Sequence, residues 1–466
     1  MEKRVMLAAA VVAIACIGAA AFVFMGGGGK PKFYWWTPHA GSPTHIPWHT
    51  EVEQMYNQRY GENVELVKVD YSTEDFKNAL ETTMAGDYPP DVWHSWGGGV
   101  LKDYVDAGKV QDITDLLNED WAVRLLPPEN RSKLLWNSTW NGRHYGFPYT
   151  IGVIQIYINR SIFDAFGVRI PDVEKGEVWT WDEFMQAIRT FKGKKNAAGK
   201  DIYPIVVAGG EEWQLSFYYM YLVDRIGGSD YFRKALNGEA GYSFTDNVFV
   251  RAGELCQELV QAEAFQPGFI NAGYDIADFY FFENQAAMYL QGSWMVSTLR
   301  YRMQQLGGRE FPLDVIYFPV IQGGAGDPSD LLGAVQDYLC ISSKSQHKEE
   351  AYNLIRLHGT DEVINSFLQK VGDILVFDSR VGGGLDVPAS KYDPVILKQI
   401  GVLQRAANLQ MPWDQYTPRA FALKHLELMN RLFRPAGGMT PSEVALEHQR
   451  MAERLRSEGK LPITFG

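Results

Sequence analysis

Only three cysteines occur in 466 residues, and one of them, Cys16, lies inside the first apolar run. So few thiols exclude a disulfide-built scaffold, which needs several spaced pairs. Cys256 falls in a helix-like apolar segment and Cys340 in a strand-like one, where a lone cysteine acts as a small buried hydrophobe. Positive charge is also short: 44 Lys and Arg against 56 Asp and Glu leave a formal net charge of −12. No long basic block exists, so the surface that nucleic acid requires is missing. HExxH, GxSxG, paired CxxC and a complete phosphate-binding GxxxxGK loop are all absent. Gly97-Gly98-Gly99 and Gly323-Gly324-Ala325-Gly326 read as loops and helix starts rather than phosphate cradles.

Long apolar runs are confined to one place. Glu2-Lys3-Arg4 precedes an unbroken stretch of apolar and small residues from Val5 to Met25, followed by Gly26 to Gly29. The stretch approaches the ~20 residues that span a bilayer and exceeds the roughly 7–15 of a usual signal core. Lys3 and Arg4 keep the start inside and send the rest out. Residues 1–29 are therefore read as an export signal or membrane anchor with a glycine tether. Retention as an anchor is favoured over cleavage near Ala21 and over lipidation at Cys16. The remainder is expected outside the cytoplasm, in the periplasm or at the cell surface.

That remainder has an ordinary globular composition, 46% hydrophobic and 21% charged. Its length exceeds one compact core, so two lobes are expected. Strand-like and helix-like segments alternate from Lys32 onward, the pattern of an α/β protein with a mostly parallel sheet. Ser72 with Asp75, Thr180 with Glu183 and Thr440 with Glu443 mark helix starts.

Five blocks then carry a resemblance. They are PDV at 90–92 with LKDYVDAGKVQDITDLL at 101–117; NGRHYGFPYTIGVIQIYINRSIFDAFGV at 141–168; WTWDEF at 179–184; FFENQAAMYLQGSW at 281–294; and ISSKSQHKEEAYNLI at 341–355. In this order they resemble the family 1 extracellular solute-binding proteins of ABC importers, the maltose-binding-protein-like group. Two departures are Ile158-Asn159-Arg160 for a usual Tyr-Asn-Lys, and Asn284 where glycine is common. The resemblance implies a two-lobe periplasmic-binding-protein-like α/β fold of type II. Each lobe would be a mixed, mostly parallel sheet flanked by helices and hinged by crossover segments. The first lobe would hold 30–149 plus 311–357, and the second 150–310 plus 358–466. Crossovers would lie at FPYTIG and near Glu310 to Leu313.

The most strongly coloured stretch is FYWWTPHAGSPTHIPWH, Phe33 to His49. Phe33 and Trp35 suit one face of a strand, and Pro38, Gly41, Pro43 and Pro47 make the remainder a loop, with a helix from His49. A metal site of His39, His45 and His49 is not expected, because their spacing matches no familiar ligand pattern. Ligand capture fits better. An indole covers the apolar face of a sugar ring while short polar groups bond its hydroxyl rim, and ligands of open α/β sheets sit at the strand carboxyl ends.

Trp36, His39, His94 and Trp96 stand at such ends. Tyr149, Glu212, Trp213, Trp294, Asp337, Asp373, Trp413 and Tyr416 recur where the resemblance places other contacts. The expectation is a monomeric, non-catalytic carrier without cofactor or metal. It would pass a mono- or oligosaccharide to the transmembrane permease subunits of an ABC importer. An exported glycoside hydrolase, recruiting Glu211, Glu212 or Asp337, is the alternative, as is a binding protein for a polyol, peptide or osmolyte.

Overall fold

The computed structural model describes residues 30–86, 88–463 and 465. The export run and its tether lie outside the described residues, and with them the choice between anchor, cleavage and lipidation at Cys16. No helix among the described residues is long and apolar enough to cross a membrane.

The elements used below run in chain order as β1 (Lys32–Thr37), α1 (His45–Tyr60), β2 (Glu65–Asp70), α2 (Thr73–Ala85), β3 (Val92–Ser95) and α3 (Gly98–Asp106). Then come β4 (Thr150–Asn159), β5 (Tyr203–Val206), α4 (Glu212–Gly227), α5 (Tyr274–Phe282), β6 (Ala286–Gly292) and β7 (Leu313–Ile316). The chain closes with β8 (Leu331–Gln336), β9 (Tyr338–Ile341), α6 (Lys348–His358), α7 (Asp361–Lys370), β10 (Leu409–Gln410) and α8 (Arg419–Leu432).

Two sheets organise the molecule. The first has the order β9-β3-β1-β2, parallel except for β9. Along β1, Phe33, Trp35 and Thr37 are buried while Tyr34 and Trp36 are only half-buried, as pleat alternation requires. The helix α1 buries His45, Trp48, His49, Val52 and Tyr56, one face at three- and four-residue spacing. It begins at His45, so the loop expected through Pro47 ends four residues earlier than the sequence suggests. Pro47 sits in the first turn, where its missing N–H had no intrahelical partner to lose.

The second sheet has the order β10-β8-β4-β6-β5, with β7 also paired to β4. All ten residues of β4 are buried. One side of β4 pairs antiparallel with β8 and β7, the other with β6. The expected capping boxes at Thr180 and Thr440 are both formed, and Ser72 accepts from the Asp75 N–H. Cys256 and Cys340 are free and buried.

Three chain segments pass between the sheets. Phe147 and Leu339 exchange backbone bonds of 3.0 and 2.9 Å at the first sheet's edge. Three residues on, Thr150 pairs with Gln336 in the second sheet. The third segment returns alongside, with the Ile151 N–H bonded to the Ile374 carbonyl at 2.9 Å. These pairings correct two of the expected divisions. The strands β7 and β8, assigned with 311–357 to the first lobe, pair with β4 in the second sheet. The helix α7, assigned to the second lobe, packs on α1, where Ser366 and Lys370 both donate to Glu51. A continuous apolar strand such as LLGAVQ declares that it is buried but not which sheet buries it.

Candidate functional site

A cleft of about 440 Å³ lies between the sheets, within the ~300–1,000 Å³ usual for small-molecule sites. It sits outside the carboxyl ends of β1, β2 and β3 and opposite the loops that follow β5, β6 and β8.

On the first-sheet side, His94 at the end of β3 and Trp96 just beyond it lie two apart and point the same way, their rings 4.6 Å apart. The Phe76 ring meets Trp96 edge-on at 5.8 Å, and the Lys77 ammonium lies 5.7 Å from the Trp96 ring centre. Across the cleft, Trp213 lies 6.1 Å from Trp294 and 5.5 Å from Tyr274, and the Trp294 indole N–H donates to the Tyr274 oxygen at 3.2 Å. Gly292 makes the placing of Trp294 possible, since a Cβ there would come within 2.2 Å of the indole. Gly98, at φ +69°, fills a second close approach. A Cβ on it would lie 2.2 Å from the Gln415 carbonyl, so the Gly97-Gly98-Gly99 run lets the Pro412–Thr417 segment close one end of the cleft.

Polar groups stand between the aromatic walls. Asp337 occupies the single residue between β8 and β9 with φ of +56°, a backbone region costly for a residue bearing a side chain. Its Oδ2 accepts from the Thr150 hydroxyl and its Oδ1 lies 3.4 Å from His94 Nε2. Burial raises the Asp337 carboxyl to about 6. Asp373 is raised by burial and by the Asp337 charge. Burial also lifts Asp278 to about 7 and raises Glu211, which Glu74 repels as well, and Asp414. His39, His45, His49 and His94 are all lowered, chiefly by burial, and so are neutral near pH 7. The cleft thus presents neutral imidazoles and buried carboxyls framed by indoles.

Of the residues singled out from the sequence, His39, His94, Trp96, Trp213, Trp294, Asp337 and Asp373 line this cleft. Five do not. Trp36 leaves β1 on the side opposite Trp35 and packs on Tyr71 at 5.0 Å. Tyr149 is buried among Trp48, Phe367 and Phe377, its hydroxyl 3.4 Å from the His358 carbonyl. Glu212, the first residue of α4, does not line the cleft, and Glu211 just before it does. Trp413 is fully buried and stacks on Phe232 at 3.7 Å. Tyr416 packs on Phe465 at 5.1 Å, while its neighbours Asp414 and Gln415 face the cleft. Lining residues missed from the sequence include Tyr274 and Asp278, and Glu211 was named only for the hydrolase alternative. An aromatic helix carrying two carboxylates, Asp275 and Asp278, was the available signal.

Residues 41–364 match the family described as bacterial extracellular solute-binding protein. The chain is 23% identical over 339 residues to the multiple sugar-binding protein of Streptococcus mutans, covering 67% of this chain and 72% of that one. It is similar, at 27% identity and a TM-score of 0.77, to a structure solved in work on xylan utilization by the thermophilic bacterium Caldanaerobius polysaccharolyticus, over 90% of this chain and 99% of that one. A chitin oligosaccharide binding protein, 19% identical, superposes with a TM-score of 0.78 over 92% of this chain and 100% of its own.

Two predictions follow from the geometry. Trp413→Ala should lower unfolding stability by ~3–5 kcal/mol, as for other buried Trp truncations, in urea denaturation; a loss below ~1 kcal/mol would show that its stacking on Phe232 matters little. Asp278 gives a pH signature. Between the ordinary aspartate value of ~3.9 and about 7, the folded state holds a proton that the unfolded chain has released, so this group's contribution falls as pH rises. Asp278→Asn should flatten the stability profile from pH 5 to 7 by up to ~1.4 kcal/mol per pH unit; parallel profiles for the two proteins would contradict the shift.

Proposed function

The chain belongs to the bacterial extracellular solute-binding proteins, and on that premise we propose that it captures a carbohydrate between its two sheets and delivers it to the permease of an ABC importer. The observation that carries this reading is the pairing of indoles across the cleft, Trp96 from the first sheet against Trp213 and Trp294 from the second, with carboxyl and imidazole groups between them. Aromatic faces cover the C–H faces of a pyranose, and carboxyl and imidazole groups bond its hydroxyls. The sugar-binding and oligosaccharide-binding names of the relatives support the same class of ligand.

In this reading the protein acts as a monomer and carries out no chemistry on its ligand. The first lobe comprises 30–149 with 338–373, and the second 150–336 with the rest of the chain. A ligand touching both walls favours their approach, because only the closed arrangement makes all the contacts. Asp337, at the crossing, selects among sugars by which hydroxyl it meets. Trp36, Tyr149, Glu212, Trp413 and Tyr416 have no direct part in binding.

Glutamate and aspartate side chains on opposite walls, Glu211 and Asp337, keep the hydrolase alternative worth testing. Calorimetric titration with xylo-, chito- and raffinose-type oligosaccharides should find a ligand that is recovered intact after overnight incubation. Trp96→Ala and Trp294→Ala should each weaken it by ~2–4 kcal/mol, roughly thirty- to a thousand-fold. Release of monosaccharide would establish the hydrolase instead. Unchanged affinity in both variants would remove the cleft as the binding site.

A further inference from the structure

The sequence reading set aside a metal site at His39, His45 and His49, and the fold draws a different group together. The carboxyl ends of β1 and β3 bring His39 and His94 to the floor of the cleft, ring centres 5.3 Å apart, and the crossing residue Asp337 joins them. One ligand atom from each of His39, His94 and Asp337 lies within 4.8 Å of the other two. His49 is engaged instead with Asp70 at 3.1 Å and with Thr37, and His45 Nδ1 with the Ser42 hydroxyl at 2.9 Å.

Two features of this group are unexplained by the protein alone. His94 is 3% exposed, yet its Nε2 has no hydrogen-bond partner, and buried Nδ1 of His39 has none either. Polar atoms withdrawn from water are ordinarily paired. Beside them Asp337 and Asp373 are buried close enough for their charges to interact, and among the described residues neither forms an ion pair with Lys or Arg. Buried carboxylates without a cation are costly unless something positive joins them.

We propose that His39, His94 and Asp337 form a binding site for a divalent transition metal of the Zn²⁺ class, with its remaining coordination positions open to the cleft. Two imidazoles and a carboxylate suit a borderline cation, whereas Ca²⁺ and Mg²⁺ call for oxygen ligands throughout. Tetrahedral bonds of ~2.0–2.2 Å place ligand atoms about 3.3–3.6 Å apart. The His94 Nε2 to Asp337 Oδ1 separation is 3.4 Å, and the third ligand atom, on His39, lies within 4.8 Å of both, so binding draws it closer. A ligating carboxylate is usually held by a hydrogen bond to its other oxygen, and ring packing fixes the imidazoles. The Thr150 hydroxyl holds the far oxygen of Asp337, the His45 ring stacks on His39 at 4.2 Å, and the Phe76 and Trp96 rings pack against His94. All three ligands line the cleft, so a bound cation would face whatever solute enters. The site does not depend on that solute being a sugar.

The test uses the full-length protein in detergent, stripped with EDTA and dialysed. Calorimetric titration with ZnCl₂ and elemental analysis should find one equivalent bound with a micromolar or lower Kd. His94→Gln and Asp337→Asn should each weaken it at least tenfold, while His144→Gln, outside the cleft, leaves it unchanged. X-ray absorption of the wild-type zinc complex should show imidazole nitrogen and oxygen at ~2.0–2.2 Å, a readout independent of whether a variant folds. Absence of stoichiometric zinc in protein with a native far-UV spectrum would overturn the proposal. So would binding that persists undiminished in folded His94→Gln and Asp337→Asn, or an absorption spectrum without imidazole ligands.

Discussion

Everything at the centre of this molecule depends on how the backbone passes between two sheets at Gln336, Asp337 and Tyr338. β8 ends in the second sheet and β9 begins in the first with a single residue between them, and that residue takes a left-handed backbone conformation without being glycine. The neighbouring segment crosses in the opposite sense, with Phe147 paired to Leu339 and Thr150 to Gln336. Strain of this kind persists only where the surroundings over-determine it, and here ladder bonds on both sides and the Thr150 hydroxyl hold Asp337 in place. The same geometry that joins the sheets aims a carboxyl into the space between them.

The cleft inherits its chemistry from that arrangement. Burial disfavours charge on either type of group, so the carboxyls are held toward their neutral form and the imidazoles away from protonation. A pocket floor of this sort is rich in hydrogen-bond donors and acceptors. The indoles on both walls supply the apolar contact. Neither wall is complete alone, because Trp96 belongs to the first sheet and Trp213 and Trp294 to the second. Recognition by contacts split in this way couples occupancy to the distance between the sheets.

Much of this was legible in the sequence, and the rest was hidden for specific physical reasons. Alternation in β1, the capping boxes and the ordered blocks around Phe147 and Trp294 pointed to an α/β molecule of two parts. The strand ends carrying His94, Trp96 and Trp294 declared themselves as aromatic or imidazole residues beside glycine. Trp36 was misplaced because no residue of β1 itself reaches the cleft, which begins at Pro38, and its ring packs on Tyr71. The start of α4 likewise exchanged Glu212, its first residue, for Glu211 before it. Trp413 lies in a proline-bounded segment that looks like a surface loop, yet Phe232, Tyr219 and His425 pack around it and it is fully buried. The histidines were the least readable, because the grouping of His39, His94 and Asp337 arises from β1 lying beside β3 and from the crossing between the sheets, and sequence spacing carries no record of that contact.

The central claim is that both sheets grip one ligand across the cleft, and scattering tests it most directly. Small-angle X-ray scattering of the protein, alone and saturated with the oligosaccharide that binds best by calorimetry, should show a smaller radius of gyration in the complex, with the compaction lost in Trp294→Ala at equal occupancy. An unchanged radius of gyration at full saturation would contradict the account, because a ligand held by one wall leaves the sheets as far apart as before.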